Sequence, residues 1–521
     1  MDLIKKNVHM DRPKCRAATQ ITLDDDYNIP DSMSDVFKLL IDKGNVQIEE
    51  VKVSENHVTV KGRLCFSVLY LSDNGQRNMQ CVDGSIAFDE FIHMDGIENG
   101  DSVKVKDTIE DLSISLINSR KLNIKSIVSF LVTAENIMDE ETAVELRSDE
   151  PVEYRKKTLE IAEIAIEKKD IFRIRESVDL PSNLPNIYEI LWEDVRVGVV
   201  DFKPAEQKLN IQGELNLFLL YEAEGEDVKV RWFETRIPFA GSIDCQGCTD
   251  DMLLDMQYEI GNTELEVRPD GDGEERSIAV DTVLDLHMKV YREESLELLS
   301  DVYGVTKEIT TVTEQGNYRS FLVKNNGKCR AGGNLRVRNS GARILQICYS
   351  MGTAVIDDTQ ITEDGIEIEG VIDVQVLYIT TDDSIPFYSL KGSIPFTYVL
   401  DVPGMNTNCT YTFHADIEQF TVSMVDSEEL EIKAVLNMQI MVFQNLEETI
   451  IKDIKIEELD MEKLGALPGI VGYIAKEGDS LWKIGKKYYV PIAQIKETSE
   501  LTSDEIRAGD KLLIVKTIES L

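Results

Sequence analysis

The segment "VTVKGRLCFSVLYLSDN", residues 58–74, occurs three times in this chain in related forms. The second form is "LNIQGELNLFLLYEAEG", residues 209–225, and the third is "IEIEGVIDVQVLYITTD", residues 366–382. In each form a glycine precedes a tyrosine by eight residues, and a phenylalanine follows that tyrosine by 18 residues. These landmarks are Gly62, Tyr70 and Phe88, then Gly213, Tyr221 and Phe239, then Gly370, Tyr378 and Phe396. Their fixed spacing indicates an internal repeat of about 150 residues.

The repeated segment has the pattern of a β-strand. Leu64, Phe66 and Val68 alternate with Arg63 and Ser67, and this period of two places the apolar side chains on one face. Other alternating segments are separated by loops rich in Asp, Asn and Gly, so each copy should be a mostly antiparallel β domain, either a sandwich or a barrel. The predicted fold class is mainly β, with three tandem repeat domains and a small α+β domain at the C-terminus. We expect domain limits of 1–150, 151–310, 311–460 and 461–521.

Some features of the repeats stay open at this level. A glycine inside a strand is costly unless it forms a bulge or admits close packing. The repeat tyrosine continues an apolar strand, so we expect a core or corner residue. Residues 136–157 are strongly charged and are predicted to be an exposed connector, while residues 158–174 fit either a short helix or a strand.

The overall charge limits the classes of partner. The formal net charge is −41, which argues against nucleic acid and against anionic lipid as general partners. The first 15 residues carry charges throughout and do not resemble a signal peptide, and no run of 18 apolar residues occurs. We therefore expect a cytoplasmic protein that does not insert into a membrane.

The sequence offers little sign of catalysis. Cys245 and Cys248 form one CxxC pair, but no second pair accompanies it and the five histidines are scattered, so loop cysteines are favoured over a metal or redox site. Phosphate-binding loops, dinucleotide fingerprints and hydrolase motifs are absent from the sequence. We predict no enzymatic activity, no catalytic residues, no cofactor and no metal site.

The C-terminal stretch has a different character. Residues 471–521 contain eight basic and eight acidic residues, so the surplus negative charge lies upstream. The pattern predicts the order β-α-α-β: a strand at "YIAK", a turn at Gly478, a helix capped by Ser480, a second helix after Pro491 and a closing strand at "KLLIV". The first helix should bury one stripe, namely Leu481, Ile484, Gly485 and Tyr488.

Two resemblances follow from these residues. The stretch from Tyr473 to Ile514, with "GDSLWKI" and a second "GDKLLI", closely resembles a LysM domain. The repeats, with their glycine, "LY" and "IPF" landmarks, are similar to domain of unknown function 3794 of sporulating Firmicutes. LysM domains commonly bind glycans containing N-acetylglucosamine between two loops, and here the resemblance implies a possible groove formed by Gly478, Asp479, Ser480, Leu481, Ser499, Leu501 and Ile506.

The whole chain resembles the SipL-like family of clostridial spore-coat morphogenetic proteins. This implies a scaffold in the mother-cell cytoplasm, recruited to the forespore surface and spore coat, that binds the basement-layer coat ATPase (stage IV sporulation protein A type) and other coat proteins. The predicted partner-binding residues are Ile470, Ile474, Lys476, Gly478, Asp479, Ser480, Trp482, Lys483 and Lys486. The alternative is a LysM protein that binds peptidoglycan of the spore cortex or cell wall. Trp482 lies beside the buried stripe, so we expect it to be partly exposed as an interface anchor, with a lid on the core of its own domain as the alternative.

Overall fold

A computed structural model describes residues 1–73, 78–225, 230–337, 343–363, 365–382, 384–459 and 468–516. The chain folds into three β-sandwiches, each made of two antiparallel sheets that enclose one hydrophobic core. This confirms the mainly β fold class, and of the two architectures considered for the repeats the sandwich is the one observed. None of the helices in the described ranges is long and apolar enough to cross a membrane.

The three sandwiches have the same strand order. In the first, β2-β3-β4 form one sheet and β1-β6-β5 the other. Its strands are β1 (Asp2–Asn28), β2 (Val36–Ser54), β3 (His57–Ser72), β4 (Met79–His93), β5 (Ser102–Asn118) and β6 (Lys121–Arg147).

The second sandwich differs by a break in its second strand, which is divided into β8 and β9 that both pair with β10. Its strands are β7 (Val152–Asp179), β8 (Ile187–Val197), β9 (Asp201–Ala205), β10 (Lys208–Ala223), β11 (Val230–Asp244), β12 (Leu253–Pro269) and β13 (Glu275–Gly304). The third contains β14 (Lys307–Arg336), β15 (Ile344–Ile361), β16 (Gly365–Thr380), β17 (Phe387–Asp401), β18 (Cys409–Met424) and β19 (Glu429–Glu458).

The repeat glycine and the repeat phenylalanine are partners across two strands. Gly370 on β16 lies directly opposite Phe396 on β17, and a Cβ at residue 370 would lie 2.9 Å from the ring and 2.3 Å from the carbonyl oxygen of Val355. The same pairing joins Gly62 to Phe88 and Gly213 to Phe239. The glycine is therefore required for close packing, since the aromatic ring covers the space that a side chain would take.

The repeat tyrosine anchors the loop that leads into the second strand of the sandwich. Tyr70 and Tyr221 are both fully buried, and their hydroxyls donate to the carbonyl oxygens of Ser34 and Pro185, both at 3.1 Å. Burial needs such a partner for the phenolic O–H. The prediction of a core or corner residue is confirmed.

The three sandwiches meet around a shared apolar core. Its members occur at equivalent positions of the three copies, as in the set Leu69, Leu220 and Leu377 and the set Ile41, Trp192 and Tyr349. Equivalent members are 151 residues apart between the first two copies and 157 residues apart between the next two. The repeat glycines have the same spacing. The repeats therefore pack around one central axis and do not form a linear array.

A buried polar network joins all three sandwiches. Asp11 of the first accepts from Lys289 Nζ at 2.9 Å and from the Tyr291 hydroxyl at 3.1 Å, both in the second, and from Arg319 in the third. Burial by itself would raise the pKa of Asp11, but the two cations outweigh it and lower that pKa to about 2. Removing any one charge of the network would therefore leave a buried charge without its partner.

The long outer strands extend beyond the sandwiches as three two-stranded ribbons, β1–β6, β7–β13 and β14–β19. Their outer halves pack together through residues such as Val8, Ile161, Leu298 and Ile450, and we call this assembly the ribbon bundle. The charged segment 136–157 lies mostly in β6 and β7, so the prediction of an exposed connector was wrong. Residues 158–174 form strand, because the partner strand β13 pairs with them along their whole length.

The CxxC pair lies in a turn that recurs in the repeats. Cys245 and Cys248 are both buried, and Gly247 between them has φ of +84°. In the first copy the corresponding turn carries Met94 and Ile97, which are equally buried. Both thiols therefore occupy positions of apolar core residues, and burial raises the pKa of Cys245 to about 11.

The C-terminal unit has the predicted order β-α-α-β. It consists of β20 (Ile470–Ile474), α1 (Leu481–Tyr488), α2 (Ile492–Thr498) and β21 (Lys511–Val515), with β20 and β21 antiparallel. The predicted start of this domain at residue 461 falls within residues 460–467, which lie outside the described ranges.

Candidate functional site in the C-terminal unit

The turn before α1 is built as the sequence predicts. Gly478 has φ of +83°, which favours glycine, and the Ser480 hydroxyl accepts from the Lys483 amide at 3.2 Å as the helix N-cap. Asp479 accepts from the Tyr473 hydroxyl and from the Lys476 amide, each at 2.8 Å. The hydrogen bond from the Lys476 amide contributes most to lowering the pKa of Asp479, followed by that from Tyr473. These bonds fix the loop from residue 476 to residue 480.

The first helix buries the predicted stripe. Leu481, Ile484 and Tyr488 pack with Ile495 of α2 and Leu512 of β21 in the core of the unit. Trp482 is not part of this core, although it is only 7% exposed. Its burial must therefore come from outside the C-terminal unit.

Trp482 packs against the ribbon bundle. Its indole meets the ring of Tyr303 on β13 edge-on, with ring centroids 4.9 Å apart, and the Arg155 guanidinium of β7 lies 5.6 Å from its centre. The indole N–H donates to Asp301 Oδ2 at 2.8 Å. The expectation of a partly exposed tryptophan was wrong, and so was the alternative of a lid on its own core. Trp482 is instead the main contact between the C-terminal unit and the bundle.

Asp301 is the acceptor at the centre of this contact. Its other oxygen, Oδ1, accepts from Lys486 Nζ at 2.6 Å, so one carboxylate holds two side chains of α1. Burial by itself would raise the pKa of Asp301, but the hydrogen bonds from Lys486 and Trp482 outweigh it and hold the pKa below its usual value. The carboxylate therefore stays ionised and binds α1 as an anion.

The docking contact continues along the loop between the helices. The Tyr303 hydroxyl donates to the carbonyl oxygen of Val490 at 3.0 Å, and the Tyr489 hydroxyl donates to Glu308 of β14. A Cβ at Gly485 would lie 2.5 Å from the Tyr303 hydroxyl, so a glycine is needed where the bundle approaches the helix. We call the set Arg155, Asp301, Tyr303 and Glu308 the docking surface.

A second face of the unit is exposed to solvent and carries three large apolar side chains. Ile470 is 67% exposed, Ile474 is 61% exposed and Leu513 is 42% exposed. Alternation along β20 and β21 places the three on the outer face of the two-stranded sheet, while Leu512 and Ile514 point into the core. We call Ile470, Ile474 and Leu513 the outer apolar face. Leu513 was missed in the sequence, although the alternation in "KLLIV" was enough to indicate it.

The structure places the other predicted partner-binding residues in two groups. Lys476, Gly478 and Lys483 are exposed, and Lys483 Nζ donates back to the Gly478 carbonyl at 2.8 Å. Asp479, Ser480 and Lys486 are half-buried, the last tied to Asp301. Of the predicted set, Trp482 and Lys486 therefore bind the ribbon bundle through Asp301.

The polar side chains of the possible glycan groove are engaged within the unit. The Ser499 hydroxyl accepts from the Leu513 amide at 2.9 Å, while Asp479 and Ser480 hold the turn described above. Leu481 is buried in the core, and Leu501 and Ile506 pack against it half-buried. Gly478 alone of the predicted set is exposed.

Comparison with known families identifies two kinds of domain in the chain. Residues 35–117, 186–268 and 343–425 match the model of the SipL SPOCS domain, and residues 473–515 match the LysM domain. Each SPOCS match begins near the second strand of a sandwich and ends on the fifth, so the ribbon-forming outer strands lie outside the matched residues. No curated protein and no solved structure gave a significant match. The chain thus has the architecture of the SipL family, with three SPOCS domains followed by one LysM domain.

Proposed function

We propose that this chain is a morphogenetic scaffold of the spore coat that binds the basement-layer coat ATPase through its LysM domain. SPOCS and LysM domains are binding domains and fit a spore-coat-related or cell-wall-binding protein. On this proposal the chain acts in the mother-cell cytoplasm, is recruited to the forespore surface and brings other coat proteins with it.

The outer apolar face carries the proposal. Large apolar side chains that are isolated on a surface need no explanation, but three on one small sheet mark a contact site. Docking on the ribbon bundle buries Trp482, whereas this face stays exposed. We infer that Ile470, Ile474 and Leu513 contact the ATPase, with the exposed Lys476 and Lys483 at the rim, where charges mainly influence association rate and orientation.

The test is a binding measurement with the purified coat ATPase and the full-length chain. Ile474→Glu and Leu513→Glu should each weaken binding by at least about tenfold, because a charge would be buried against an apolar partner surface. Ile171→Glu is the matched control, since Ile171 on β7 of the second sandwich is also 61% exposed. Unchanged affinity of both LysM variants would refute the outer apolar face as the binding site.

A second candidate is binding to peptidoglycan, favoured by the match to the LysM domain and by the exposed loop around Gly478. Against it, the hydroxyls of Ser480 and Ser499 are already used within the domain. Co-sedimentation with insoluble peptidoglycan decides between the two. Binding that oligomers of N-acetylglucosamine compete away would support the glycan function, and absence of sedimentation would leave the ATPase proposal in place.

A further inference from the structure

We propose that the groove between the second and third SPOCS domains binds an extended segment of another protein that carries lysine or arginine. The groove has a volume of about 950 Å³. One wall is the outer face of the sheet β10–β11, and the other consists of the edges of β15 and β18.

The three junctions between SPOCS domains are equivalent in position but not in charge. At the junction of the third with the first domain, Asp42 is about nine-tenths buried and accepts from Lys391 and, at 2.8 Å, from Gln375. At the junction of the first with the second, the positions equivalent to Asp42 and Lys391 are Glu193 and Asp83, and Lys43 Nζ, which lies 3.2 Å from Asp194, supplies the cation there. At both junctions, therefore, a lysine of the chain itself neutralises a carboxylate.

The junction of the second with the third domain lacks this arrangement. By the spacing of the repeat landmarks, Ser350 stands where Asp42 stands, and Glu234 stands where Lys391 stands. Glu234 is exposed in the groove and has no ion pair among the described residues. The ion pair that closes the equivalent junction cannot form here, and the groove stays open.

The remaining charges of the groove have an acidic excess. Five carboxylates and two guanidinium groups line it, although Asp201 already pairs with Lys203 and Glu214 with Arg236. The carboxylates are Asp201, Glu214, Glu234, Asp416 and Glu418. One oxygen of Glu418 is buried without a hydrogen-bond partner, although its other oxygen accepts from Lys328. A cationic side chain in the groove would pair with Glu234, which has no cationic partner of its own in the described structure.

The backbone of the groove suits an extended chain. In the described part of the molecule β15 pairs only with β16, and β18 only with β19, so both are edge strands. An edge strand offers unpaired N–H and C=O groups to which a further strand can be added. Main-chain pairing would supply affinity, and alternate side chains would reach the carboxylates.

The test uses the full-length chain and a fluorescent, end-capped hexapeptide of alternating lysine and valine, followed by fluorescence anisotropy. We expect saturable binding that weakens as ionic strength rises, since the contact depends on charge. A peptide of alternating glutamate and valine, and a lysine–valine peptide methylated on alternate backbone nitrogens, should bind at least about tenfold more weakly. Equal binding of either control peptide, or no binding of the lysine–valine peptide, would overturn the proposal.

The decisive variant installs the ion pair of the equivalent junction. Ser350→Asp with Glu234→Lys should close the groove and weaken peptide binding by at least about tenfold. Glu234→Gln, which preserves shape, should weaken it by about threefold to tenfold and covers the case in which the double variant does not fold. Glu50→Gln, an equal change of charge on the first SPOCS domain, is the matched control. Undiminished binding by Glu234→Gln, or equal weakening by Glu50→Gln, contradicts the assignment of this groove.

Discussion

Replacing Asp301 by alanine should release the LysM domain from the ribbon bundle. The substitution removes the acceptor of the Trp482 indole and of Lys486 at once. A hydrogen bond to a charged group contributes about 1.5–3 kcal/mol. The pair with Lys486 adds at most about 1 kcal/mol, because both side chains are roughly a third exposed to solvent. We therefore expect docking to weaken by about 2–3 kcal/mol, which shifts its equilibrium about 30-fold to 150-fold.

The measurement is ¹⁹F NMR of the chain labelled with 5-fluorotryptophan. The chain has three tryptophans, and the resonance of Trp482 is assigned by its loss in Trp482→Phe. In Asp301→Ala that resonance should move toward the position of a solvent-exposed indole, while the resonances of Trp192 and Trp232 stay. Adding Tyr303→Phe, which removes the hydrogen bond to Val490, gives a stronger perturbation in case docking is stable enough to survive the single change.

Acid should have the same effect as the substitution. Because docking lowers the pKa of Asp301 below 3.8, its contribution is present above that value and is lost as the pH falls through the lower docked pKa. Glu153 has the opposite effect on docking. Burial raises the pKa of Glu153, although its carboxylate accepts a hydrogen bond from the Ile492 amide. The charged form of Glu153 therefore opposes docking at neutral pH.

The control for this experiment is Glu297→Ala. Glu297 lies on β13, like Asp301, and pairs with Lys156 at 2.9 Å on the exposed side of the ribbon. This variant should leave the Trp482 resonance unchanged. The reasoning is refuted if the Trp482 resonance keeps its docked position in the double variant Asp301→Ala/Tyr303→Phe, or if Glu297→Ala moves it equally.

Three further outcomes are expected from the fold. Asp11→Ala leaves two buried cations without their partner and should lower the free energy of unfolding by about 3–5 kcal/mol, measured by urea denaturation; a loss below about 1 kcal/mol would mean that water replaces the carboxylate. Gly370→Ala places a methyl group against the ring of Phe396 and a neighbouring backbone carbonyl and should cost at least about 1–3 kcal/mol in the same assay, so an unchanged midpoint would contradict the close packing. Cys245→Val with Cys248→Ile replaces two buried thiols by apolar side chains, as in the other repeats, and should change stability by less than about 1.5 kcal/mol; a large loss, or a Tm of the wild type that depends on chelator or reductant, would instead indicate a metal or redox role.

The architecture could be predicted from the sequence because its signals are local or repeated. Alternation over single strands, the glycine, tyrosine and phenylalanine at fixed spacing, and the helix stripe of the LysM domain with its Ser480 cap each depend on neighbours along the chain. The same alternation in "KLLIV" is sufficient to place Leu513 on the outer apolar face.

The docked state of Trp482 could not be predicted, because burial depends on what the rest of the chain brings to a side chain. Asp301 and Tyr303 lie about 180 residues away in sequence, on a ribbon whose charged residues have the composition of a connector. The groove between the second and third SPOCS domains could not be predicted from the sequence either, because it depends on which face of one sandwich contacts which edge of the next. The sequence by itself determined the repeats, their strands and the LysM fold through short-range periodicity, whereas only the packing of the three repeats around one axis decided which surfaces are covered and which remain free to bind.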